Sequence, residues 1–265
     1  MDIKEYLSDP NEKPLDVIRS DGGFTGIFRT IACVGDSLSS GEFEAIDKEG
    51  KKSFHDMYEY SWGQYIARMT GSKVYNFSRS GMTAREYCES FADSRGLWSG
   101  EKKCQCYIMA LGVNDISNCR DQNLGALEDI CLDDWKQNKK TFVGYYAQII
   151  QRLRQNQPDA KFFLMTIPRE SGNKYDGLRE VHAALLYRLA DLFEQTYVLD
   201  FRKYAPVYDE TFKKNFYLNG HMNAAGYLLT ARMVASYIDY IIRNHPEAFA
   251  QVGYIGTPYY DRALQ

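Results

Sequence analysis

The sequence predicts an α/β fold, a single parallel sheet with helices packed on both faces. Three observations carry this. Five short apolar runs of strand length recur along the 265 residues. Segments with helical periodicity separate them, and a strand–helix–strand order joins parallel strands by crossovers. Finally, 45% hydrophobic and 25% charged residues is ordinary globular composition, on a chain long enough to bury a sizeable core. No internal repeat, low-complexity run or linker divides the chain. One domain over residues 1–265 is therefore expected, with 1–29 as an extended lead-in and 244–265 as a C-terminal tail that wraps or frays.

The lead-in is polar, with Pro10, Pro14 and a Gly22-Gly23 turn. Ile31-Ala32-Cys33-Val34 is the first strand, an apolar run bounded by turn residues. It breaks into Gly35-Asp36-Ser37-Leu38-Ser39-Ser40-Gly41. Residues 43–60 carry charges without a clear period and read as a loop or irregular insertion. A short amphipathic helix is expected over 61–70, stopped by Gly71. Residues 73–77 form the second strand, which leads into Ser78-Arg79-Ser80-Gly81-Met82-Thr83, where Thr83 is a plausible N-cap for a helix through Phe91.

The third strand is expected over 105–111, ending in Gly112-Val113-Asn114-Asp115. Residues 115–140 are polar and acidic, a loop or lid with helical pieces. Phe142, Val143, Tyr146, Ile149, Ile150 and Leu153 fall at helical spacing, which predicts a helix over 141–155. A fourth strand over 160–167 stops at Pro168, a helix follows over 178–195, and a fifth strand covers 197–201. After a loop over 202–220, a long amphipathic helix runs from Asn223 to Arg243.

In such a fold, ligands bind at the carboxyl edge of the sheet. Three turns meet there, those of Ser37, Gly81 and Asn114. A serine is a nucleophile only if a base takes its proton and N–H donors receive the developing negative charge. The Ser37 and Gly81 amides and the Asn114 side chain could supply those donors. Taken singly, Gly81 is equally a turn glycine and Asn114 a helix cap. The base is sought among four histidines. His55 lies in the insertion, His182 mid-helix and His245 near the tail. His221 sits in the loop before the last helix, within reach of the same edge.

GDSLSSGE, SRSGMT, LGVND and NGHMNAAGY, in this order and spacing, resemble the four blocks of the SGNH (GDSL-like) hydrolase superfamily. The resemblance spans residues 30 to about 243. It implies a flavodoxin-like three-layer α/β/α sandwich on a five-stranded parallel sheet, and hydrolysis of esters or thioesters without a metal or other cofactor. It assigns catalysis to Ser37, Gly81, Asn114 and His221. The family pattern usually carries an aspartate three residues before the histidine, and here that position is Leu218. A Ser37–His221 dyad is therefore expected, with the Leu218 carbonyl as a candidate acceptor for the ring N–H. Asn219, Asp200 and Asp209 are weaker substitutes.

The expected reaction is acyl transfer from an ester to water. The family includes carbohydrate acetyl esterases, and 21 Tyr and 14 Phe suit sugar stacking, so short acyl groups on carbohydrate come first. A lipid acylhydrolase is the alternative within the class. A catalytically impaired carbohydrate-binding protein, or a flavodoxin-like nucleotide binder, is the alternative outside it. The net charge of −3 and pI near 5.9 give no nucleic-acid or anionic-membrane surface. No stretch reaches the ~18 apolar residues of a membrane span. Six cysteines without CxxC or metal-ligand spacing read as free thiols, which favours a reducing compartment. Met1-Asp2-Ile3-Lys4-Glu5 has no signal-peptide core, so the expected location is cytoplasmic, or secreted if a signal peptide has been removed.

Overall fold

The computed structural model describes residues 7, 9–117 and 123–264. Its centre is a five-stranded parallel sheet. After a 3₁₀ turn over Gly23–Ile27 come β1 (Thr30–Gly35), α1 (Ser37–Ser40), β2 (Glu42–Ile46), β3 (Lys52–Asp56), α2 (Trp62–Thr70) and β4 (Lys73–Ser78). Next are α3 (Ala84–Glu86), a π-type turn over Tyr87–Phe91, α4 (Ala92–Ser94), β5 (Cys106–Ala110) and α5 (Val113–Ser117). The remainder is α6 (Phe142–Asn156), β6 (Lys161–Met165), α7 (Asp176–Leu192), β7 (Thr196–Leu199), α8 (Phe201–Tyr204), α9 (Glu210–Phe216), β8 (Tyr217–Leu218), β9 (His221–Met222) and α10 (Ala224–Asn244). The sheet order is β4-β1-β5-β6-β7, all parallel.

Alternating side chains along buried strands feed two cores, because successive Cβ atoms point to opposite faces. Ala32, Val34, Tyr107, Met109, Phe162 and Leu164 face one core, with α3, α6 and α7 packed over them. Ile31, Cys33, Cys106, Ile108 and Phe163 face the other, under α2 and α10. Register sets the functional edge: Gly35 at the end of β1 pairs with Ser78 of β4 and with Ala110 of β5. Three strands therefore stop at one level, and the turns that follow them open on the same side.

Residues 43–60 depart from expectation. They hold an antiparallel hairpin of β2 and β3, in which Glu44 pairs with Phe54. Asp47 makes its turn, with Oδ1 accepting the N–H groups of Glu49 and Lys51. The stretch 83–91 is helical with a π-type turn inside it. In 115–140 the described pieces are the end of α5 and 3₁₀ turns at 127–129 and 135–137. Residues 118–122 of that stretch, Cys119 among them, lie outside the described residues, as does the N-terminal segment 1–5. The tail packs against the sheet through Phe249, Val252 and Ile255, all buried. Cys33, Cys88, Cys104, Cys106 and Cys131 are free thiols. Among the described residues no helix is long and apolar enough to cross a membrane.

Candidate active site

Asp36 terminates β1 and caps α1, its Oδ1 accepting the Leu38 N–H at 3.0 Å. This makes Ser37 the first residue of the helix, where an N–H has no partner within the helix. The other half of the site comes from the far end of the chain. β8 and β9 form a two-residue ribbon in which Leu218 pairs with His221, and Asn223 caps α10 directly behind it through the Gly226 N–H. The ribbon brings His221 Nε2 to 3.1 Å from Ser37 Oγ, across 184 residues of sequence.

Asn114 opens α5 after β5. Its Nδ2 lies 3.3 Å from Asp36 Oδ2 and 3.2 Å from the Met82 carbonyl, which ties the third turn to the first and second. Asp115 fixes the second turn in place, because its Oδ1 accepts the Ala84 N–H at 3.0 Å. Gly81 has φ of +70°, a left-handed conformation that glycine adopts without a Cβ penalty. The structure thus brings the Ser37, Gly81 and Asn114 turns to one edge and sets His221 against Ser37.

The remaining candidates lie elsewhere. His55 is exposed, its Nε2 3.0 Å from Ser53 Oγ. His182 is buried, its Nε2 3.0 Å from the Leu111 carbonyl, and burial pushes its pKa down to about 4. His245 is exposed beyond α10. Asp200 is occupied by Thr166, Tyr187 and the Lys203 N–H, and Asp209 caps α9 through the Phe212 N–H. Asn219 donates to the Glu44 carbonyl. The Leu218 carbonyl does not take the ring N–H either, since buried His221 Nδ1 has no hydrogen-bond partner.

What surrounds the imidazole is β2 and β3. Glu42 Oε2 is 3.0 Å from Nε2, and Glu44 Oε2 is 3.6 Å from Nδ1. The Phe54 ring meets the imidazole edge-on at 5.8 Å. Both carboxylates are buried. Glu42 Oε2 also accepts from Ser80 Oγ at 2.9 Å, and its carbonyl from Tyr227 Oη at 2.5 Å. Lys52 Nζ lies 2.7 Å from Glu44 Oε1 and the Gly220 N–H 3.0 Å from Oε2. Lys52 above all holds the Glu44 carboxyl below its ordinary range, against the opposing effect of burial. Burial pushes Asp36 the other way, up to about 7, and Asp115 up to about 6.

None of Glu42, Glu44, Lys52, Phe54 or Ser80 stood out in the sequence. A signal was present in EFEAI-DKEG-KKSFHD, two alternating runs around a turn tetrapeptide. The alternation is inverted, because Glu42 and Glu44 are buried while Phe43 and Ala45 are half-buried.

The model of the GDSL-like Lipase/Acylhydrolase family matches residues 33–229. Among solved structures, the chain is similar to a family two carbohydrate esterase from Clostridium thermocellum in complex with cellohexaose. That likeness has a TM-score of 0.55 at 19% identity, over 89% of this chain and 66% of that one. It is also similar to a Lactobacillus plantarum protein (TM-score 0.57, 18% identity, 82% of this chain and 98% of that one). A third likeness is to the acetyl xylan esterase AlAXEase (TM-score 0.52, 19% identity, 79% and 99%). At such identities these likenesses show the fold, the α/β arrangement described above. No curated protein matches the chain significantly in sequence.

Proposed function

The chain belongs to the GDSL-like lipase/acylhydrolase family and is a carboxylic ester hydrolase; from this premise we propose that it removes short acyl groups from carbohydrate esters through Ser37 and His221. The observation that carries the proposal is the 3.1 Å contact between Ser37 Oγ and His221 Nε2, which is hydrogen-bond reach between a nucleophile and its base.

The chemistry follows from that contact. His221 Nε2 takes the Ser37 hydroxyl proton as Oγ bonds to the ester carbonyl carbon, and the carbonyl π electrons move onto oxygen. The Ser37 and Gly81 N–H groups stabilise that oxyanion, and Asn114 Nδ2 joins them once one of its two N–H groups turns from Asp36 Oδ2 or the Met82 carbonyl to the substrate oxygen. When the intermediate collapses, the C–O bond to the alcohol breaks and Nε2–H protonates the departing oxygen, leaving an acyl-Ser37 ester. Water then repeats the sequence, with His221 again as base, and releases the carboxylic acid. Glu42, 3.0 Å from Nε2, supplies a negative charge beside the imidazolium formed in each half-reaction.

Two features support a short acyl group and a carbohydrate alcohol. A cavity of about 40 Å³ lies beside Asp36 and Leu38, the neighbours of Ser37, lined by Val113, Met165 and Ile167. It is small and mostly apolar in its lining, which suits a short acyl group. Beside the imidazole, Phe54 is 55% exposed and offers a face for a sugar ring. The carbohydrate esterases among the similar folds point the same way by analogy.

The test compares wild type and Ser37→Ala on p-nitrophenyl acetate, butyrate and octanoate and on acetylated xylan. Acetate should be the best of the three p-nitrophenyl esters, xylan should be deacetylated, and Ser37→Ala should fall by at least ~10³-fold. A preference for octanoate would overturn the short-acyl assignment, and full activity in Ser37→Ala would overturn the nucleophile.

A further inference from the structure

His221 carries its ring without the aspartate that would ordinarily precede it, and Leu218 at that position is 48% exposed. The ring nevertheless has a requirement that something must meet. For Nε2 to accept the Ser37 proton, the neutral imidazole must carry its own proton on Nδ1, and that N–H needs an acceptor. Nδ1 is buried and has no hydrogen-bond partner. Meanwhile Glu42, 3.0 Å from Nε2, sets a second carboxylate beside that nitrogen, and the opposite tautomer, with the proton on Nε2, cannot serve Ser37 as a base.

We propose that Glu44, delivered by the β2–β3 hairpin, is the positioning residue that takes the place of the missing aspartate and holds His221 in the Nδ1–H tautomer. This rests on the reading of Ser37 and His221 as nucleophile and base. Glu44 Oε2 stands 3.6 Å from Nδ1, an ion-pair separation a few tenths of an ångström beyond a hydrogen bond. Such contacts commonly tighten when substrate enters.

The surrounding chain is shaped to this carboxylate. Lys52 anchors Oε1 at 2.7 Å and the Gly220 N–H anchors Oε2 at 3.0 Å. A Cβ on Gly220 would stand 2.3 Å from that oxygen, so a side chain on the residue before the histidine would displace the Glu44 carboxylate from its present place. Asn219 takes a left-handed conformation, φ +59°, and its Nδ2 donates to the Glu44 carbonyl at 2.8 Å. The loop that presents His221 is therefore fastened to Glu44 at side chain and main chain alike. Glu42 is differently committed, since its Oε2 is shared between Ser80 and Nε2. The charged groups that face the imidazole are thus Glu42 and Glu44 from β2, with Lys52 of β3 behind Glu44.

The test is kcat, KM and the pH profile of p-nitrophenyl acetate hydrolysis for wild type, Glu44→Gln and Glu44→Gln/Leu218→Asp, with ¹⁵N spectroscopy of the His221 ring. Glu44→Gln should lower kcat by ~10²–10⁴-fold, with KM within about threefold. Its acid limb should move to lower pH, because a carboxylate that favours the imidazolium is gone. Leu218→Asp should restore at least ~10-fold by returning an acid to the position opposite His221. The wild-type ring should show the proton on Nδ1, and that preference should weaken in Glu44→Gln.

A kcat within threefold of wild type with an unmoved acid limb would overturn the proposal. So would a wild-type ring protonated on Nε2, a result that needs neither a variant nor a substrate. Failure of the underlying reading looks different: activity that survives Ser37→Ala strikes the nucleophile and says nothing against Glu44, which the ring spectrum judges alone.

Discussion

Asp36 sits between β1 and the serine that follows it, and it does so as a carboxyl group that burial keeps protonated well above its ordinary range, up to about 7. The protonated form is stabilised in the folded chain while the unfolded chain ionises near pH 4. The native state therefore binds more protons between those limits, and stability conferred by Asp36 is full below about pH 4 and declines as pH rises to about 7. Asp36→Asn keeps a good N-cap without the titration. Wild type should lose stability relative to Asp36→Asn between pH 4 and pH 7, by at most about 4 kcal/mol. Urea midpoints measured across that range decide it, and parallel curves would contradict it. Asn114, whose amide is fixed between Asp36 and Met82, carries a separate prediction. Asn114→Ala should cost ~10²–10³-fold in kcat, the loss typical of one oxyanion donor.

At this scale Ser37, Gly81, Asn114 and His221 were legible, because each lies in a short motif whose residue types are dictated by a turn or a reacting group. Glu44 was not. Nothing local marks a glutamate as the partner of a histidine 177 positions later; the pairing exists only once two ribbons meet.

The hairpin of β2 and β3 explains why that stretch reads as irregular. A half-buried strand is recognised by apolar residues at every second position. In β2 the buried positions are Glu42 and Glu44, and β3 is exposed throughout. The element is strand-like in conformation but polar on its inner face, because that face meets His221 of the candidate site and not a core. The ordinary elements, α2, α6, α10 and the five sheet strands, obey the usual periodicities and were legible to within a few residues. Phe54 follows from the hairpin too. It is pinned against the His221 ring at 5.8 Å with its other face in solvent, so Phe54→Ala should raise KM for acetylated xylan several-fold more than KM for p-nitrophenyl acetate. Equal effects on both substrates would assign the ring to packing alone.

Across the whole molecule, the parallel sheet sets three turns at one level and the β8–β9 ribbon returns His221 to them. The two-sided core was legible from uninterrupted apolar strands, since only a sheet covered on both faces buries consecutive residues. The Tyr, Gly and Pro residues of the tail have no period, so sequence alone does not choose between wrapping and fraying. Packing decides for wrapping. Phe249 stacks on Phe163 at 6.4 Å and lies 5.2 Å from Tyr197 and 6.3 Å from Phe28. Phe249→Ala should destabilise by about 3–5 kcal/mol and lower the melting temperature by several degrees, leaving kcat of the folded protein unchanged. An unmoved melting temperature would mean that the tail contributes nothing to the core.

The most direct measurement of the central claim is covalent labelling with an aryl phosphonate ester followed by mass spectrometry. The phosphonate accepts a serine nucleophile at phosphorus and expels its phenoxide, leaving a stable adduct. Ser37 activated by His221 predicts one adduct per chain, on the peptide that holds Ser37, absent in Ser37→Ala and formed far more slowly in His221→Ala. A wild-type chain that takes no label, or a label that persists in Ser37→Ala, would contradict the account.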